Sequence, residues 1–254
     1  MGLFDFLGGG NKAGAAKKQS QKANNKDAQS VDRFKALEAL VEDGTGEAIE
    51  GLLRRMTWNY DKSIDDESEK QWVHDTLVDV AQANADDLKT ILGALENNLC
   101  RAETIAWQLK VLEHVASHDE AWPILVKVIA NNDNEYVRDP SRKIQLIDFL
   151  GEWDDPRAAA ALAQWLEDRD EGVRFKTIEA MFHKKDEEHA REPLLKLLVK
   201  PEEESRRIKL RILDGLADVE WNTHGYKGTV EKLCEDLGRG HSIDGKGRVR
   251  KGKS

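Results

Sequence analysis

Proline, tyrosine and cysteine are scarce: five, three and two residues in a chain of 254. Few prolines leave long helices unbroken, and the chain lacks the β-branched alternation that strands require. Cys100 and Cys234 are far apart and form no CxxC, which excludes a disulfide framework and a paired zinc knuckle. Both read as small buried apolar side chains. No apolar run approaches the roughly 18 residues of a membrane-spanning helix. The opening MGLFDFLGGG lacks the charged start and apolar core of a secretory signal. Phe6 stands where a myristoylation motif wants Ser or Thr. The expectation is a soluble, cytoplasmic protein. GxGxxG, Walker, GxSxG and HExxH motifs are all missing, as is a Cys–His pair with suitable neighbours. No catalytic residue, cofactor or metal is therefore expected.

What the chain does have is helix-forming residues and charge. Alanine, leucine, glutamate and lysine dominate, with apolar residues at 39% and charged residues at 34%. That balance suits a thin array with much surface. The net charge of −9 is unevenly spread: residues 1–30 carry +3, 31–237 carry −17 and 238–254 carry +5. An acidic body repels polyphosphate, so nucleic acid is expected to touch the chain only weakly, through its basic tails.

Residues 8–30 are rich in Gly, Ala, Lys, Asn, Gln and Ser and hold no aromatic. The segment reads as a flexible linker, because it has little apolar area to offset the entropy of ordering. Leu3, Phe4, Phe6 and Leu7 form a hydrophobic tip ahead of it. From Val31 onward, apolar residues recur at helical spacing in paired segments of about three turns each. Phe34, Trp72, Trp107, Ile144, Phe175 and Ile208 are read as opening the core stripe of each first helix, with gaps of 38, 35, 37, 31 and 33 residues. A two-helix period in the thirties predicts helical repeats. The boundaries are an arm over 1–30, six pairs over 31–237 and a basic tail over 238–254. The tail carries a hairpin hint around Asp244-Gly245 and is read as packing on the last pair or lying free.

Two turns share a motif: NEYVRDP (134–140) and DEGVRFK (170–176) each place Val-Arg after an acidic residue, and ESRRIK (204–209) offers Arg206 or Arg207 at the same point. An arginine at a helix start opposes the helix dipole and therefore needs a partner elsewhere. The motif, followed by Ala/Leu-rich helix pairs, resembles HEAT repeats, particularly the phycobilin-lyase type, most clearly over 134–216. The resemblance implies an all-α, right-handed α-solenoid of about six helix pairs. It also implies a ladder in which Arg138, Arg174 and Arg206 reach acids of neighbouring turns, with Asp133, Asp168 and Asp170 as candidates. Such charge-assisted bonds contribute about 1.5–3 kcal/mol each. The HEAT-type deoxyhypusine hydroxylases hold iron through His-Glu dipeptides, and none occurs here. HEAT-like DNA glycosylases need a basic track, which a body at −17 does not supply.

Outside the ladder, His114 and His118 have the i,i+4 spacing of two metal ligands, but no third ligand is placed, and two imidazoles at a helix C-terminus explain them as well. Arg54, Arg55, Trp58 and Tyr60 form an aromatic–arginine patch of the kind that dominates binding hot spots. The competing reading is a cap whose aromatic edge turns onto the core. Together with the Leu3–Leu7 tip, this patch is the candidate partner-binding set. The leading expectation is a non-catalytic protein-binding scaffold whose second helices line the inner face. The alternatives are a membrane-touching adaptor acting through the tip, and a HEAT-type lyase or nucleic-acid-acting enzyme.

Overall fold

The computed structural model describes residues 5–60 and 63–252, with the side chains of residues 5–13 and 63 outside the described set. It divides into two units, Met1–Asn131 and Asn132–Ser254. The first unit holds α1 (Asp5–Ala23), followed by the pairs α2 (Ser30–Asp43) with α3 (Gly46–Arg55), α4 (Ser63–Ala83) with α5 (Ala85–Arg101), and α6 (Ala106–Val115) with α7 (His118–Ala130). In the second, α8 (Ser141–Glu152) pairs with α9 (Pro156–Leu162) and the 3-10 turn Ala163–Glu167 that follows it. Next come α10 (Glu171–Lys184) with α11 (Glu187–Val199), and α12 (Arg206–Val219) with α13 (Lys227–Leu237). Among the described residues the fold is all-α apart from an antiparallel hairpin, β1 (Ser242–Ile243) with β2 (Val249–Arg250).

Five second helices start where a polar residue caps them, while α13 follows Tyr226 without a side-chain cap. Thr45, Asn84, Ser117, Asp155 and Asp186 each accept a backbone N–H of the helix that follows. Ser117 and Glu120 form a reciprocal capping box, which satisfies two N–H groups that would otherwise be orphaned. Gly44, at φ 62°, ends α2 in the left-handed conformation that glycine adopts at least cost.

Each unit packs its helices in two layers. In the first, α2, α4 and α6 neighbour one another, as do α1, α3, α5 and α7. In the second, α8, α10 and α12 form one layer, and α9 with its 3-10 turn, α11 and α13 form the other. Leu37, Leu52, Leu53, Leu77, Ile91, Leu95 and Leu112 fill the space between the layers of the first unit. Leu146, Leu150, Leu162, Trp165, Ile178, Leu195 and Leu213 do so in the second.

Two expectations change. Of the residues read as opening the core stripe, only Ile208 is fully buried; Phe34, Trp72, Trp107, Ile144 and Phe175 are half-buried. Within each unit Phe34, Trp72, Trp107 and Phe175 meet side chains of a neighbouring first helix instead. Phe34 meets Trp72 edge-on at 5.3 Å, and the Arg207 guanidinium lies 3.9 Å above the Phe175 ring. Residues 8–30 are not a linker throughout. Up to Ala23 they belong to α1, which packs on α2 and α3 and takes the place that a second helix of a preceding pair would take.

The reason is close approach rather than apolar bulk. Ala16, Ser20 and Ala23 are buried on one face of α1, and Gly51 of α3 lies opposite Ser20. A Cβ on Gly51 would come within 2.9 Å of Ser20 Cβ. Asn24 then ties the end of α1 down: its Nδ2 donates to Gly51 O at 3.1 Å, and its Oδ1 accepts from Trp58 Nε1 at 3.1 Å. A buried methyl contributes only about 0.8 kcal/mol, so the described side chains of α1 pack by close approach, whereas α3 buries Ile49, Leu52 and Leu53. The basic tail also docks. Val249 is fully buried, and Arg248 and Arg250 pair with Glu220 while Lys251 pairs with Asp218.

The glycines give opposite expectations for one substitution. A Cβ on Gly215 would fall 2.2 Å from Phe182 Cε2, whereas Gly93 of α5 has nothing within 4 Å. Gly215→Ala is expected to destabilise by about 1–3 kcal/mol through overpacking, and Gly93→Ala to stabilise by about 0.5–1 kcal/mol through backbone entropy. Denaturant midpoints of the two variants, measured with full-length chain, check both signs.

Candidate functional site

Three first-turn cations share one arrangement. Lys143 of α8 donates to the Glu135 carbonyl of its own lead-in turn at 2.7 Å and to Asp168 Oδ2 of the next turn at 2.8 Å. Arg174 of α10 donates to the Asp168 carbonyl at 2.8 Å and through Nε to Glu203 Oε2 at 2.9 Å. In the first unit, Arg33 of α2 donates to the Ala28 carbonyl and through Nη2 to Glu69 Oε1 at 2.9 Å. In each case one side chain satisfies a carbonyl behind it and a carboxylate ahead of it. Lys143, Asp168, Arg33 and Glu69 are almost wholly buried, so these pairs gain from a low local dielectric and lose heavily if one partner is removed.

Some members of the predicted ladder take other roles. Arg174 is a rung, but its carboxylate is Glu203. Asp168 is a rung, and Lys143 is its cation. Asp170 is instead the N-cap of α10, with Oδ1 accepting Val173 N–H at 3.1 Å. Arg138 and Asp133 are exposed in the loop before α8, where Asp133 Oδ1 accepts Glu135 N–H. Arg206 donates to the Leu237 carbonyl at the end of α13 and pairs with none of the predicted acids. Sequence reasoning missed Lys143 because it sought Val-Arg; a cation in the first turn was the usable signal.

Around Glu69 the first unit builds its densest polar cluster. Arg55 is wholly buried, donating to Glu69 Oε2 at 2.7 Å, to Asp66 Oδ1 at 2.6 Å and to the Trp58 carbonyl at 3.2 Å. Lys70 donates to Asp66 Oδ2 at 2.7 Å and to Asn59. The Arg55 guanidinium lies 4.1 Å from the Trp58 ring, and that of Arg33 4.3 Å from the Tyr60 ring. Burial opposes ionisation of Glu69, yet hydrogen bonds from Arg33 and Arg55 and their charges hold its pKa below the ordinary 4.5.

The aromatic–arginine patch is therefore mostly internal. Arg55 is consumed by carboxylates, and the half-buried Trp58 and Tyr60 cover it; only Arg54 is exposed. This is the cap reading, with the aromatic edge turned onto the charges and onto the end of α1. Leu3 and Phe4 lie outside the described residues. Phe6 and Leu7 fall on α1, with side chains outside the described set.

His114 and His118 do not share a helical face, because Ser117 caps a new helix between them. His114 Nδ1 lies 2.7 Å from the Lys110 carbonyl and 3.4 Å from His74 Nε2. Among the described residues, no three His, Cys, Asp or Glu side chains are grouped to hold a metal. The Cys234 thiol is pushed up to about 11 by burial, with Glu231 and Glu235 adding to the shift, so it stays protonated at neutral pH.

A family model described as HEAT repeats matches residues 138–213. No curated protein matches the chain. The matched stretch holds the Lys143–Asp168 and Arg174–Glu203 rungs, and its stacked helix pairs agree with HEAT repeats over those residues.

Arg174→Ala leaves the nearly buried Glu203 without its cation and is expected to cost about 3–5 kcal/mol. In Arg174→Ala/Glu203→Gln the loss should be smaller, and a double-mutant cycle from denaturant melts measures the coupling. Glu69, with its folded-state pKa depressed, adds stability that is fully present above its unfolded pKa and lost as pH falls through the folded value. Stability measured from pH 6 downward should thus fall less steeply below about 4.5 in Glu69→Gln than in the parent.

Proposed function

We propose that this protein is a non-catalytic HEAT-repeat scaffold that receives a basic protein partner on its first unit. HEAT repeats generally serve as protein-interaction scaffolds. No helix among the described residues is long and apolar enough to cross a membrane.

Charge distribution carries the reading. Residues 31–131 hold 20 Asp and Glu against 10 Lys and Arg, and three of those cations, Arg33, Arg55 and Lys70, are buried in the network around Glu69. The outward surface is therefore strongly acidic. The acids also gather at one edge: Glu47, Asp86, Asp87, Asp119 and Glu120 all sit in the first turns of α3, α5 and α7. Helix dipoles favour acids there, and the same row presents one sign of charge to an approaching chain. The second unit differs, because the basic residues of its hairpin are matched by Glu220, Asp218 and Asp244. That pairing takes support from nucleic-acid binding through the tail.

The test is affinity purification with the full chain and with Glu47→Lys/Asp86→Lys/Asp119→Lys, exposed positions that reverse the edge. The expected result is one or more basic proteins enriched by the parent, released by salt and absent from the variant, with circular dichroism unchanged. Enrichment indifferent to both salt and charge reversal would overturn the reading.

A further inference from the structure

We propose that a cleft at the C-terminal ends of α3 and α5 is an oxyanion site, in which Arg54 and Arg101 together hold the phosphoryl group of a ligand. This goes beyond the scaffold reading and does not rest on it, since the acidic edge lies at the opposite ends of the same helices.

The first unit has four arginines, and they divide two and two. Arg33 and Arg55 are buried on Glu69. Arg54 and Arg101 are exposed and line one cleft of about 230 Å³, together with Glu50, Thr57, Asn97 and Asn98. Each sits in the last turn of its helix. The dipole favours a cation there, which accounts for their positions but not for their donors. Among the described residues neither guanidinium is bonded to a carboxylate or to a helix-end carbonyl. The nearby carbonyls are already taken. Arg54 O accepts from the Thr57 N–H and hydroxyl, Thr57 O from the Thr104 hydroxyl at 2.7 Å, and Asn98 O from the Ala102 N–H at 2.8 Å. Two forks of N–H donors are thus left facing a shared space.

Charge points the same way. Residues 31–131 hold 20 acids, yet Glu50 is the one acid among the residues lining this cleft, and it accepts from Asn97 Nδ2 at 3.5 Å. Two like charges brought to one cleft raise each other's energy, and an anion between them relieves it.

The ligand's chemistry follows from cations standing on two helices. A single guanidinium fork satisfies both oxygens of a carboxylate. A phosphoryl group offers three acceptor oxygens and a charge of about −1.5 to −2, so it engages both forks at once. A cleft of about 230 Å³ is also smaller than the roughly 300–1,000 Å³ of a site that encloses a whole small molecule. It suits one such group, with its carrier outside. Small phosphomonoesters and phosphorylated side chains of a partner share that group.

The test uses isotopically labelled full chain and the Nε–H signals of its arginines, those of Arg54 and Arg101 being identified by their loss in the single Lys variants. Phenyl phosphate is the probe and benzoate its control, at constant ionic strength. Phenyl phosphate is expected to shift both signals saturably and to bind at least about tenfold more tightly than benzoate. Arg54→Lys/Arg101→Lys keeps both charges but removes the forks, and should weaken binding about tenfold with the melting temperature unchanged. Glu50→Gln removes the one acid and should tighten binding by about 1.5- to 5-fold. A phosphoserine peptide then separates the two carriers: tighter binding than phenyl phosphate assigns the site to a partner chain, and equal binding assigns it to a small phosphomonoester. Three results would overturn the proposal: shifts that rise without saturating, benzoate binding as well as phenyl phosphate, or undiminished binding in the Lys pair. Each is independent of whether a basic protein is captured at the acidic edge.

Discussion

A cation desolvated beside a helix N-terminus meets the positive end of the dipole, and it persists there only if nearby oxygens more than compensate. Lys143, Arg174 and Arg33 meet that condition in one way, by holding a carbonyl of their own lead-in turn and a carboxylate of the next pair. The bond therefore joins neighbours. It fixes the spacing and rotation of one helix pair on the next, which apolar contacts alone leave free to slide. Leucine and isoleucine supply most of the cohesion between layers, and the buried ion pairs supply register.

The cluster at Glu69 extends that arrangement. Arg33 reaches Glu69 from one pair, and Arg55 reaches it from the second helix of the same pair. Asp66 and Lys70 complete the cluster, so that three cations share two carboxylates in a space closed by Trp58 and Tyr60. The stacked aromatic faces and the Trp58 and Asn59 oxygens absorb the surplus positive charge. Trp58 is the link outward, since its indole N–H holds Asn24.

Much of the fold was legible in the sequence because apolar periodicity at 3.6 residues is set by the same burial that builds the layers. Six helix pairs were expected between 31 and 237, and six are present. The errors fall where bulk is a poor guide to contact. Phe34 and Trp72 seemed core by size, yet large rings fit the seam between first helices, where an edge stays wet. Ala16, Ser20 and Ala23 looked like linker by composition, yet small side chains pack wherever a glycine such as Gly51 lets backbones approach. At the candidate site, Arg174 was readable from its position at a helix start, but Glu203 was not. Its separation of 29 residues depends on loop lengths, and no local pattern encodes them. Arg55 and Trp58 were flagged by residue type, which cannot tell a hot spot from a buried clasp, because both use an arginine on an aromatic face.

The two kinds of contact divide the labour between structure and recognition. Burying Arg33, Arg55 and Lys70 removes cations from the surface of an already acidic unit, so the interactions that set register also sharpen the field outside. Under the scaffold reading proposed above, an array built in this way favours basic partners over neutral or acidic ones before any specific contact forms. Register inside and charge selection outside thus have a common source in where the chain places its arginines.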